Sequence, residues 1–160
     1  MVAAIRGAWP ERLPLFLRIS ATDWAEGGWQ VEDSVALVRQ LAPLGVDLVD
    51  CSSGGQVPLE SATSHSIPAG PGYQTPFAAQ VRRETGVPTG AVGLITAAAQ
   101  ADHVIRSGQA DVVLLAREEL RDPYFPLRAA RELGQEIAWP AQYLRAAPAG
   151  AAARPDPSDE

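Results

Sequence analysis

Lysine is absent from the 160 residues: all 13 basic side chains are arginine. Any mechanism that needs a Schiff-base lysine is therefore excluded from this chain. Cysteine occurs once, at Cys51, so no internal disulfide can form, which fits a reducing compartment. There are two histidines, His65 in a long loop and His103 within a helical pattern beside Asp102. Neither has a second His, Cys or paired carboxylate at ligand spacing, so no metal site is expected. No apolar run reaches the roughly 18 residues of a membrane span, and Pro10, Pro14 and interspersed charges interrupt any signal-peptide core near the start. The expectation is a cytoplasmic protein with no membrane partner. Positive charge is outweighed, leaving a net charge of −6. The long-range field repels phosphate backbones and argues against nucleic acid as a partner, so any phosphate site must be local.

Apolar residues make up 46% of the chain, enough for one domain with a real core. Four continuous apolar stretches, 15–20, 46–51, 88–92 and 111–116, are rich in Val, Ile or Leu and suit strands buried on both faces. Helical patterns lie between and after them, at 31–44, 75–84, 97–107 and 124–133. Strands alternating with helices predict parallel βα units, which fit either an open α/β sheet or half of an eight-stranded barrel. Gly45, Gly108 and Gly134 follow their helices at left-handed cap positions. The connections into the strands are short, whereas the segments leaving them are long or rich in glycine. That asymmetry puts function at the carboxyl ends of the strands. From Pro148 the chain turns rich in Pro, Ala and Gly and acidic at its tip, so a half-barrel over 1–147 and a disordered tail over 148–160 are expected.

Two strand ends carry the chemistry. Thr89-Gly90-Ala91-Val92-Gly93 brings backbone N–H groups close to a ligand, and the helix that follows adds partial positive charge. Leu114-Leu115-Ala116-Arg117 ends the next strand on a fixed cation with five donors, which suits a phosphate. Competing roles are a pairing of Arg18 with Asp23 or Asp50 and a bond from Arg117 to Glu118 or Glu119. Cys51 reads as a small buried side chain without a neighbouring base. Trp24, Trp29 and Tyr73 either line a substrate entrance or pack the loops together. Asp47 and Asp50 alternate along one strand and do not form a paired-carboxylate site.

Several segments in the correct order resemble the Old Yellow Enzyme family of flavin-dependent ene-reductases, in its bacterial thermophilic-like branch. They are Pro14-Leu15-Phe16-Leu17-Arg18-Ile19-Ser20-Ala21-Thr22-Asp23-Trp24, Gly45-Val46-Asp47-Leu48-Val49-Asp50-Cys51-Ser52-Ser53-Gly54-Gly55, Pro71-Gly72-Tyr73-Gln74, 89–96 and 115–125. The resemblance implies the second half, strands five to eight, of a TIM (β/α)8 barrel that holds FMN and uses NADPH or NADH as reductant. It implies reduction of the activated C=C bond of an enone or enal. Arg18 would lie at the pyrimidine edge of the flavin, Ser52 or Ser53 along the ribityl chain, and Gly93, Ala116 and Arg117 around the phosphate. Arg145 resembles an arginine that reaches a neighbouring subunit's active site, which implies a homo-oligomer. The family's substrate-gripping His or His/Asn pair and tyrosine proton donor belong to the other half, so no catalytic residue is assigned here. The chain would then act with a missing N-terminal half or a second copy, or stand as a non-catalytic remnant or partner subunit of a split barrel.

Overall fold

The computed structural model describes residues 1–54 and 67–153. A short helix, α1 (Val2–Ala8), precedes strand β1 (Phe16–Ser20), and helix α2 (Val31–Leu41) runs through a 3-10 turn over 42–44 to strand β2 (Leu48–Ser52). Helix α3 (Thr75–Thr85), strand β3 (Thr89–Ala91), helix α4 (Ala98–Arg106) and strand β4 (Val112–Val113) complete the rhythm. Helices α5 (Arg117–Arg121) and α6 (Phe125–Glu132) and a 3-10 segment over 141–146 follow. His65, Gly55 and residues 154–160 of the tail expected over 148–160 lie outside the described residues.

The chain divides into two compact units, residues 1–96 with 100–115, and residues 97–99 with 116–160. All four strands belong to the first. They are parallel and ordered β1-β2-β3-β4, each strand pairing with the next along the chain. A doubly wound sheet reverses its strand order at a switch point, whereas a (β/α)8 barrel adds each strand beside the last. This sequential order therefore selects the barrel-type arrangement between the two left open by periodicity.

Alternation along the strands sorts the two faces of the sheet. Val49 and Cys51 of β2 and Ala91 of β3 pack against Val35 and Val38 of α2, Ala78 and Val81 of α3 and Val104 of α4. The other face carries Arg18, Asp50, Gly90 and Val112, which are register partners across all four strands. Phe16, two residues before Arg18, is 62% exposed there.

Register is fixed by two matching devices. Asp47, just before β2, accepts the Leu15 N–H at 2.7 Å and the Arg6 guanidinium at 2.6 Å. Asp111, just before β4, accepts the Thr89 N–H at 2.9 Å and the fork of Arg82, at 2.9 and 3.1 Å. Each carboxylate is held below its ordinary range. For Asp47 the Leu15 N–H is the main cause, and for Asp111 it is the Arg82 hydrogen bond.

The expected strands and helices appear with shifted ends. Six residues were expected in the fourth strand and two are observed. The reason lies in its neighbour: β3 stops at Ala91, so the ladder ends on Ala91↔Val113 with one further bond from Leu114 N–H to Ala91 O at 2.9 Å. Gly45, Gly108 and Gly134 take positive φ, as expected of caps.

Candidate functional site

The carboxyl ends of β1, β2 and β3 are joined by side chains, in addition to backbone bonds from Ala21 N–H to Ser52 O and from Gly54 N–H to Thr22 O, both at 2.8 Å. Gln74, 5% exposed, is the hub. Its Oε1 accepts the Ser53 hydroxyl at 2.7 Å and its Nε2 donates to Val92 O at 3.1 Å, so one amide ties the end of β2 to the end of β3. Ser52 Oγ donates to Ile19 O at 2.9 Å and Ser20 Oγ to Gly54 O at 3.3 Å, joining β1 to β2 in the same way. Both candidate serines thus spend their own protons on protein acceptors, and their oxygens keep lone pairs able to accept.

Beyond β3 the backbone turns sharply. Gly93 has φ +125° and Leu94 φ +51°. The Gly93 carbonyl accepts the Gly72 N–H at 2.8 Å, which pins the turn to the loop before α3. A Cβ at Gly93 would stand 2.9 Å from Gln74 Nε2 and 3.1 Å from the Tyr73 ring, so the glycine is demanded by space as well as by φ. The amide N–H groups of Gly93, Leu94 and Ile95 donate to no other described residue. Consecutive amides without partners in a turn with left-handed residues are the pattern from which anion-binding concavities are built. A leucine held in the left-handed region costs free energy.

Arg18 lies in the middle of β1, one strand over from Asp50, and its Nε donates to Asp50 Oδ2. Of the two partners considered for it, Asp50 is the one it has. The arginine side chain is 61% exposed and the aspartate 7%. The second oxygen, Asp50 Oδ1, is buried without a hydrogen-bond partner. Beside Asp50, Gly90 leaves room that the Leu114 side chain fills.

The second unit holds the remaining candidates. Ala116 caps α5 and Arg117 opens it, both exposed. Glu118 is bound by Arg121 at 3.2 Å rather than by Arg117. Arg145 is exposed in the 3-10 segment 141–146. There Tyr143 packs edge-on against Tyr124 with ring centroids 5.4 Å apart, and the Trp139 N–H donates to Ala152 O at 2.9 Å.

The aromatic loop residues serve packing. Trp29 Nε1 donates to Ser34 Oγ at 2.6 Å, and Trp24, at φ +56°, meets the Phe77 ring edge-on at 5.6 Å between centroids. Cys51 is fully buried, and burial, aided by the charge of Asp50, pushes its thiol up to about 12. It is a core side chain. Among the described residues no group of three His, Cys, Asp or Glu could hold a metal, and no helix is long and apolar enough to cross a membrane.

Gln74 is the site residue that the residue-by-residue reading of the sequence gave no role. Its partners stand 21 and 18 positions away, so no local pattern announces it.

Sequential parallel βα units define a barrel-type protein, and its polar side chains and the amides without a described partner gather at the strand carboxyl ends. Comparison with known proteins agrees and goes further. The family model for the NADH:flavin oxidoreductase / NADH oxidase family matches residues 1–136. The chain belongs to that family, the Old Yellow Enzyme family. It is 50% identical over 145 residues to an NADPH dehydrogenase of Geobacillus thermodenitrificans (strain NG80-2), covering 91% of this chain and 40% of that one. An NADPH dehydrogenase of Halalkalibacterium halodurans is 45% identical over 146 residues, with 91% and 41% covered. The chain thus spans about two fifths of the length of these relatives. Among solved structures, histamine dehydrogenase from Rhizobium sp. 4-9 superposes with a TM-score of 0.65 at 23% identity, over 84% of this chain and 19% of that one, a likeness of fold.

Proposed function

We propose that this chain is the flavin-holding part of an FMN-dependent NAD(P)H oxidoreductase, corresponding to strands five to eight of the family barrel. The observation that carries the proposal is the turn at Gly93: three successive free amides at a strand end, in a chain about half identical to an NADPH dehydrogenase. The residues fit FMN. The amides of 93–95 would hold the phosphate; Arg117, in the other unit, is given a phosphate role by the family resemblance alone. Ser52 and Ser53, their hydroxyl protons already donated to Ile19 O and Gln74, would accept from ribityl hydroxyls. Arg18 would face the pyrimidine edge, where a fixed guanidinium stabilises negative charge. When bound, the flavin supplies hydride transfer from a nicotinamide to an acceptor.

The acceptor class implied by the family is the activated C=C bond of an α,β-unsaturated carbonyl compound. By the family resemblance, the groups that grip the carbonyl and donate the proton belong to the other half of the barrel. On this reading, catalysis would use that half together with the residues described here. Arg145 would act across an oligomer interface. The other reading is a non-catalytic remnant or partner subunit, favoured by the exposed sheet face at Phe16.

Titration of flavin fluorescence with the purified chain tests the proposal, with Arg117→Ala as comparison. Saturable binding that the substitution weakens by more than tenfold, about 1.4 kcal/mol, supports the phosphate site. A folded chain that binds no FMN supports the remnant reading.

A further inference from the structure

Asp50 presents a problem that stability does not solve. Its carboxylate is almost fully buried, one oxygen lacks a partner, and its counter-charge on Arg18 is largely in solvent. Replacing such a pair with apolar side chains is often neutral or stabilising, so the sheet has no need of it. Two features of the geometry give it a use. Arg18 and Asp50 are direct register partners on the same face, and the bond is made through Nε. A guanidinium is planar, so anchoring Nε–H on one edge fixes the plane and leaves the far edge, Nη1 and Nη2, free to donate as a fork. An exposed arginine otherwise spreads over many rotamers, at a cost of about 2 kcal/mol to order it. Burial of Asp50 on that face, 7% exposed, makes it a rigid anchor.

We propose that Asp50 is a positioning residue: it aims the Nη edge of Arg18 at the flavin's pyrimidine edge and so favours binding of reduced, anionic FMN over oxidised FMN. This rests on the flavin reading above. Positioning and simple charge make opposite forecasts. Removing the negative charge of Asp50 would by itself strengthen binding of an anion, whereas releasing Arg18 weakens it.

The test uses the whole chain and the variants Asp50→Ala, Asp50→Asn and Arg18→Gln, with circular dichroism to confirm folding. Dissociation constants for oxidised and anaerobically reduced FMN give the ratio that matters. Asp50→Ala and Arg18→Gln should each shift that ratio at least tenfold against reduced FMN, about 30 mV for a two-electron couple. Asp50→Asn, which keeps a neutral acceptor for Nε–H, should recover part of the loss. An unchanged ratio, or equal shifts toward reduced FMN in both Asp50 variants, overturns the positioning role while leaving the flavin reading intact. A wild-type chain that binds neither form of FMN overturns the flavin reading, and with it the role toward FMN. Independently of flavin, the Arg18 Nε–H should exchange slowly in wild type by NMR and at least tenfold faster in Asp50→Ala. Equal exchange would refute the anchor itself.

Discussion

Replacing Gly93 with alanine tests the strand-end turn directly. At φ +125° an alanine lies outside the left-handed well near +57°, so relief requires rotating φ back by roughly 70°. That rotation swings the Gly93 carbonyl away from the Gly72 N–H, now 2.8 Å distant. Holding φ in place instead leaves the new Cβ 2.9 Å from Gln74 Nε2 and threatens its bond to Val92 O. Backbone strain of this kind costs about 1–3 kcal/mol, and a lost hydrogen bond about 1 kcal/mol more. The expected destabilisation is about 2–4 kcal/mol, which lowers Tm by roughly 6–12 °C in a chain of this size. Gly86→Ala is the control. It sits at φ +74° with nothing within 4 Å, so it carries the left-handed penalty alone, about 1 kcal/mol. Thermal unfolding followed by circular dichroism measures both. If Gly93→Ala costs no more than Gly86→Ala, the crowding against Gln74 and Tyr73 does not constrain this turn.

Ser34 is fully buried, receiving the Trp29 indole N–H and donating to Ala21 O at 3.2 Å. Ser34→Ala should cost about 1–3 kcal/mol in urea denaturation by orphaning that carbonyl, and a cost near zero would mean the bonds are replaced. Burial and the raised thiol value of about 12 predict that Cys51 resists an aromatic disulfide reagent at neutral pH and reacts fully in denaturant. Rapid labelling of the native protein would contradict its core placement. Asp111 has its folded-state value lowered chiefly by Arg82, so its contribution is present above the ordinary carboxylate value near 3.8 and is lost as pH falls through the lower folded value. Asp111→Asn should therefore lower Tm at pH 7, with the gap to wild type closing below about pH 4. A gap that persists at pH 2 would show that the bond to Thr89 N–H depends on shape and not on charge.

The βα rhythm was legible because its signals are local. Runs such as Val46 to Cys51 read as buried strands, and Gly45, Gly108 and Gly134 mark helix ends at the positive φ they adopt. Strand order was not legible, since periodicity is the same in a barrel segment and an open sheet. Helix α1 was also missed. Its seven residues lack a side-chain cap, and it is tied down from a distance by Arg6, which bonds Gly45 O, Leu13 O and Asp47. At the site, glycine chemistry pointed to Gly93, while the left-handed Leu94 has no signature in a residue type that rarely goes there. The family resemblance supplied roles for Arg18, Ser52, Arg117 and Arg145. Asp50 was one of two partners the sequence offered Arg18, and the structure selects it; the role of Gln74 emerges only from the fold.

Because every strand pairs with its successor in the chain, the sheet grows by addition at one edge, like a zipper with a fixed starting tooth. Each βα step closes only the loop of its own crossover before pairing rewards it, so no strand waits on a distant segment. Gene fusion or duplication can then join further units at either edge without rewriting the pairings already made.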